Sequence, residues 1–224
     1  MLKDSLITGL DVGSTTIRMV VGQKSRQDEK LKIVGAIETP AQGISKGVVV
    51  SVEDAVSSIS AALEKLERMV GQPIDHAWVG ISGSHITAQE SKGLVAVSKA
   101  DGEIRPEDVE RVIEAARAMA TPPNYEILHV IPKSFTVDYQ TGIKDPIGMT
   151  GVRLEVETQI IQGLTSQIKN LTKCIYRTGL NIDDLILSAL ATAESVLTGR
   201  QKELGVVVIN FGGATTSIAV FEEG

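Results

Sequence analysis

With 224 residues, 22 Lys and Arg against 28 Asp and Glu, and a formal net charge of −6, the chain has no basic block to line a nucleic-acid groove or grip an anionic membrane. Hydrophobic (42%) and charged (22%) fractions are those of a soluble globular protein of one large or two modest domains, and no run of about 18 apolar residues exists to cross a bilayer. The single cysteine, Cys174, cannot form an internal disulfide, and the start, Met1 to Ser5, lacks a signal-peptide apolar core, so a cytoplasmic, reducing location is expected.

In chain order, residues 6–10 and 17–21 are apolar runs joined by Asp11-Val-Gly-Ser-Thr-Thr16, which predicts a β-hairpin with a glycine-bearing tip. Residues 31–37 read as a third strand. Ser51 is placed to N-cap a helix, with Asp54 three residues on. Val52, Ala55, Val56, Ile59, Leu63, Leu66 and Val70 then recur at helical spacing until Gly71 and Pro73 stop it. Residues 76–82 read as a buried strand carrying Trp78. Together these elements predict a mixed sheet with helical cover.

The middle has a different rhythm. Residues 94–97 read as a short strand, and Pro106-Glu107-Asp108 open a second helix with the apolar face Val109, Val112, Ile113, Ala116 and Met119, ended by Thr121-Pro-Pro123. Phe135/Val137/Tyr139 and Val152/Leu154/Val156 alternate with period two, the second interleaved with Arg153, Glu155 and Glu157 so that one face is buried and the other wet. Residues 84–163 thus read as a strand-helix-strand-strand α+β unit inserted into the larger domain. Afterwards Ile168, Leu171 and Ile175 mark a helix closed by Gly179, with Cys174 as a buried structural thiol. Asp183-Asp184 read as a solvated turn, and residues 185–197 as a strand running into a helix.

The last elements repeat the first. Residues 206–209 and 218–221 are again apolar runs, joined by Asn210-Phe-Gly-Gly-Ala-Thr-Thr-Ser217. One such turn is what an ordinary hairpin would show. Two, each with a polar residue, a glycine two positions later and a Thr-Thr step, point to a duplicated phosphate clasp. Glycines bring backbone N–H groups onto an anion and hydroxyls add donors. The candidate phosphate-binding residues are Asp11, Gly13, Ser14, Thr15 and Thr16 in the first tip, and Gly212, Gly213, Ala214, Thr215 and Thr216 in the second. By contrast, His76, His85 and His129 lack the paired spacing of a zinc site and read as structural.

The first clasp, Gly43-Ile-Ser-Lys-Gly-Val-Val-Val50, Val79-Gly-Ile-Ser-Gly-Ser-His85, Val109-Glu-Arg-Val-Ile-Glu-Ala-Ala-Arg117, Ile127-Leu-His-Val-Ile-Pro132 and the block from Asp145 to Glu157 closely resemble the FtsA family of bacterial cell-division proteins. The clasps alone would place the chain only in the actin-like superfamily, beside sugar kinases and Hsp70 chaperones; the block 127–157 is more specific. The resemblance implies an actin-like (ribonuclease H-like) α/β fold. Residues 1–83 and 164–198 would form its first half, 84–163 the inserted α+β subdomain, and 199–224 the beginning of a second half. It also implies ATP with Mg held between halves, self-association into filaments, FtsZ and later division proteins as partners, and a place on the cytoplasmic face of the membrane through a C-terminal helix. Nucleic acid is not a partner.

Set beside that family, the chain looks truncated, ending among the opening strands of the second half. Three acids that the family usually carries are replaced, by Asn210, Ser217 and Ser188, which leaves Asp11 to hold Mg through water with weak help from Asn210. Hydrolysis is therefore expected to be weak at best. A pilus-assembly actin-like adaptor and a small-molecule kinase of the same superfamily are the alternatives. In the insert, Ile147 and Met149 are candidate partner contacts on a Pro-Gly loop, though Met149 would equally pack onto the insert's own core.

Overall fold

Period-two alternation builds the first three strands of the computed structural model, which describes residues 6–24, 31–97, 101–120 and 122–223, the side chains of 119 and 120 excepted. The predicted start at Met1 to Ser5, the Met119 side chain, the helix stop at Thr121 and the final Gly224 lie outside the described residues. β1 (Leu6–Val12), β2 (Thr16–Lys24) and β3 (Leu31–Pro40) form an antiparallel meander. Leu10, Val12, Ile17, Met19 and Val21 are buried on one face, while Arg18 and Val20 lie on the other. A two-stranded turn, β4 (Ile44–Ser45) with β5 (Val48–Val49), bends through Lys46 and Gly47 at φ 51 and 76.

Helix α1 (Val52–Val70) begins where the Ser51 hydroxyl accepts the Asp54 N–H at 3.4 Å. It ends at left-handed Gly71, whose N–H returns to the Glu67 carbonyl. Its stripe of Ala55, Ile59, Ala62, Leu63 and Leu66 is buried, and it packs against β2 and β3. β6 (His76–Ile81) then adds to β1 in parallel. Trp78 is not buried as expected: it is 44% exposed, because Ala77, Val79 and Ile81 take the core-facing positions and leave Trp78 on the opposite face.

The chain divides into two compact units, Met1–His85 with Ser166–Gly224, and Ile86–Thr165. In the second, β7 (Ile86–Ala96) is much longer than the predicted short strand. It is followed by α2 (Pro106–Ala120), β8 (Tyr125–Val137), β9 (Gln140–Ile143) and β10 (Arg153–Leu164). The strands form an antiparallel sheet in the order β7-β10-β8-β9, so that chain-distant β7 and β10 pair along most of their length. The Asp108 carboxylate accepts the Arg105 N–H at 3.0 Å and fixes the start of α2. Val112 and Ala116 of α2 meet Phe135, Val137, Leu154 and Val156 in one core. Tyr139 and Val152, predicted to continue the buried alternations, are 96% and 73% exposed: β8 stops at Val137, Asp138 turns at φ 54, and β10 starts only at Arg153.

Back in the first unit, α3 (Thr165–Tyr176) buries Ile168, Leu171, Cys174 and Ile175, and Gly179 turns the chain at φ 86. Burial pushes the Cys174 thiol up, as an inert structural cysteine requires. β11 (Asn181–Leu187) adds to β6 in parallel and completes a five-stranded sheet, β11-β6-β1-β2-β3. Asp183 and Asp184 stand on this strand, at a bulge, rather than in a turn; Asp183 accepts a 2.9 Å hydrogen bond from His76 and raises its pKa. α4 (Ser188–Val196) and the short α5 (Gly199–Leu204) lead to the hairpin β12 (Val206–Phe211) and β13 (Thr216–Phe221). Among the described residues no helix is long and apolar enough to cross a membrane.

Gly93 allows α2 to lie directly on β7. A Cβ there would sit 2.1 Å from the Val112 carbonyl oxygen and 2.8 Å from the Ala116 nitrogen, both backbone atoms. Gly93→Ala is expected to lower stability by about 1–3 kcal/mol, as overpacking against a fixed helix does, measured by chemical denaturation.

Candidate functional site

The two hairpin tips are built alike. Val12 pairs with Ile17 and Phe211 with Thr216, so residues 13–16 and 212–215 form the connections. In each, the leading glycine donates its N–H to the carbonyl of the closing threonine: Gly13 to Thr16 at 3.0 Å, Gly212 to Thr215 at 2.9 Å. A Cβ on Gly13 would lie 2.6 Å from that Thr16 oxygen, and one on Gly212 2.8 Å from the Thr215 oxygen. Close approach, not a left-handed φ, makes glycine necessary at both.

The tips also meet each other. A Cβ on Gly213 would fall 2.3 Å from Thr15 Cγ2 and 2.6 Å from its hydroxyl. Around this contact lies an open cleft of about 350 Å³. Asp11, Gly13, Ser14, Thr15 and Thr16 line it from the first tip, and Asn210, Gly212, Gly213, Thr215 and Ser217 from the second. Ala214 and Thr216 do not. The register explains why: Thr215, not Thr216, is the counterpart of Thr16, so the second Thr-Thr step arrives one residue late and Thr216 enters β13 opposite Phe211.

Supporting contacts hold the first tip. The Ser14 hydroxyl accepts the Gly47 N–H at 3.2 Å, and the Thr15 carbonyl accepts the Ala41 N–H at 2.9 Å. Gly47 in turn lies so close to Ser82 that a Cβ would be 2.2 Å from the Ser82 carbonyl oxygen. Gly47, Ser82 and Arg18 therefore line the cleft without having been singled out as site residues. For Arg18 a signal was available, since strand alternation puts it on the same face as Asp11; for Gly47 and Ser82 only the tertiary approach reveals the role.

Asp11 is the one acid lining the cleft among the described residues. The Ser188 hydroxyl, at the start of α4, donates to it at 3.2 Å, and the Arg18 guanidinium stands 3.8 Å away. Gly80 makes room, for a Cβ there would be 2.9 Å from Ser188 Oγ and 3.2 Å from Asp11 Oδ1. Burial pushes the Asp11 carboxyl above the usual aspartate range, against the opposing effects of Ser188 and Arg18. Among the described residues no group of three or more His, Cys, Asp or Glu is placed to hold a metal ion. His76, His85 and His129 do not line the cleft. Of the two candidate partner contacts, Ile147 is 49% exposed whereas Met149 packs against the insert's core.

Residues 83–162 match the family model described as the SHS2 domain inserted in FtsA. The chain is 42% identical over 219 residues to the cell division protein FtsA of Pseudomonas aeruginosa, covering 98% of this chain and 52% of that protein. It is likewise 42% identical over 224 residues to that of Bacillus subtilis, covering 100% and 50%. Over nearly its whole length the chain is similar to the N-terminal portion of FtsA proteins. It spans about half the length of these curated relatives. Among solved structures, a chain of the PilM–PilN type IV pilus biogenesis complex superposes with a TM-score of 0.65 at 13% identity, over 97% of this chain and 58% of that one. The likeness is one of fold: an actin-like α/β domain with an inserted α+β subdomain, as the family's sequence motifs imply.

A raised carboxyl pKa means that the Asp11 charge costs the folded state stability at neutral pH. That cost disappears as pH falls through the raised value to below the ordinary 3.8, where the group is protonated folded and unfolded alike. Asp11→Asn is expected to raise Tm at pH 7, with the gain shrinking to nothing toward about pH 3, as read from thermal melts across that range.

Proposed function

We propose that the chain is the phosphate-clasping part of an actin-like cell-division scaffold that uses ATP with Mg as a structural switch. In this reading it links an FtsZ ring to the cytoplasmic face of the membrane at midcell, associates into filaments and recruits later division proteins. The observation that carries the nucleotide reading is the pair of matched tips, each closed by the same glycine-to-threonine hydrogen bond and touching across one cleft. The division role is supported by 42% identity to curated FtsA proteins over almost the whole chain, against 13% to the pilus-complex chain that shares the fold. A small-molecule kinase would need a second carboxylate at the cleft to act as base, and the described residues offer Asp11 alone.

The donor set fits Mg only as a hydrated ion. Asp11 would hold it through water and Asn210 would offer an amide oxygen, in keeping with an ion that retains waters and shares phosphate oxygens. When bound, Mg neutralises phosphate charge; the tips supply position. Residues 1–83 and 164–198 serve as the first actin-like half, 84–163 as the inserted subdomain, and 199–224 as the beginning of the second half. In the insert, exposed Ile147 is the partner contact, and Met149 holds its loop to the core.

If the tips clasp phosphates, separating them should abolish the grip. Gly213→Val, which drives a branched side chain into Thr15, is expected to weaken ATP binding by the complete protein about tenfold or more, measured by calorimetry. Unchanged affinity would sink the reading.

Turnover tests the missing acids. The Ser188 hydroxyl is engaged with Asp11 and cannot act as a base. A carboxylate at the same place would sit beside Asp11, and like charges so close raise a pKa toward the range useful for proton transfer. Asn210→Asp with Ser188→Glu is expected to raise ATP hydrolysis by the complete protein. Equal phosphate release from both proteins would show that these acids are not what limits the reaction.

A further inference from the structure

The matched hairpins differ in charge at one pair of facing positions. Asp11 faces Arg18 across the first hairpin, and Asn210 faces Ser217 across the second. The first pair is charged and the second neutral. Arg18 is the one cation lining the cleft among the described residues, and every other donor there is a neutral N–H, hydroxyl or amide. A polyphosphate carries several negative charges, and a charge-assisted hydrogen bond from a guanidinium is about twice as strong as a neutral one.

Arg18 is also held from the other side. It is the register partner of Glu38 on β3 as well as of Asp11 on β1, so Glu38, Arg18 and Asp11 form one row across the sheet. Arg18 Nε–H donates to Glu38 Oε2 at 2.9 Å, while Nη1 lies 3.8 Å from Asp11. A guanidinium has five N–H donors, and the Glu38 bond uses one. Both side chains are about half exposed, at 54% and 56%, so their ion pair is water-accessible and weakly held.

We propose that Arg18 is a phosphate-binding residue of the cleft, held in reserve by Glu38 until an incoming polyphosphate displaces that carboxylate. This rests on the cleft being a nucleotide site and adds the cation that the site uses. Glu38 competes with the ligand, and removing it therefore favours binding. The row makes the two variants act in opposite directions, which no merely structural ion pair would do.

The test is calorimetric titration of the complete protein with ATP and, separately, inorganic tripolyphosphate, with thermal melts to verify folding. Arg18→Met is expected to weaken both ligands about tenfold or more. Arg18→Lys should fall between wild type and Arg18→Met, because it keeps the charge and loses the planar fork. Glu38→Gln should tighten both about two- to fivefold, the range of an exposed ion pair. If Arg18→Met and Glu38→Gln weaken binding equally, the pair is structural and the proposal is overturned. If wild type binds and neither variant changes affinity, the proposal falls while the cleft stands. A wild-type protein that binds neither ATP nor tripolyphosphate overturns both.

Discussion

Everything at the cleft depends on two backbone oxygens, those of Thr16 and Thr215, each approached so closely by a glycine that no other residue fits. That approach narrows each tip, and only narrow tips can come together as Gly213 and Thr15 do. The constraint extends inward. Gly80 leaves space beside Asp11 for the Ser188 hydroxyl, and Gly47 lets the β4–β5 turn press on Ser82 while its N–H reaches Ser14. The site is assembled by removing side chains where backbones must touch, and polar groups occupy the room that remains.

The charge arrangement follows from the same geometry. Only one carboxylate and one guanidinium line the cleft among the described residues, and strand register places them opposite each other. Burial raises the Asp11 pKa while the Ser188 hydroxyl and the Arg18 cation oppose that shift, and among the described residues no second acid lines the cleft beside it. In the reading proposed above, the cleft holds an anion rather than breaks a bond, because hydrolysis needs a base aimed at water and the Ser188 hydroxyl already donates to Asp11.

The sequence made the fold class legible because periodicity and capping were local and mutually consistent. Ser51 and Gly71 bound α1, and the stripe from Ala55 to Leu66 is buried. Where the pattern misled, a neighbour decided. Trp78 looks buried by hydrophobicity, but alternation with Ala77 and Val79 turns it outward. β7 was short on paper because its polar stretch, Gln89 to Lys92, has no hydrophobic signature; pairing with β10 carries it through. α5 escaped notice although Thr198 and Gln201 form a capping box, the one local signal it carries. At the cleft, repetition marks the residues of both tips as candidates; Ala214 and Thr216 do not line it, and for Thr216 the reason is a one-residue shift in register that a repeated Thr-Thr step does not reveal.

Trp78 has a practical consequence. It is the only tryptophan of the chain, half-exposed on β6, opposite Gly9 and two residues before the glycine that accommodates Asp11 and Ser188. Indole emission depends on contact with water, so the protein carries an intrinsic optical reporter on the sheet that bears its cleft. Its spectrum can be followed without a label, and because these 224 residues hold no second indole, a shift in this chain's indole emission belongs to that one strand.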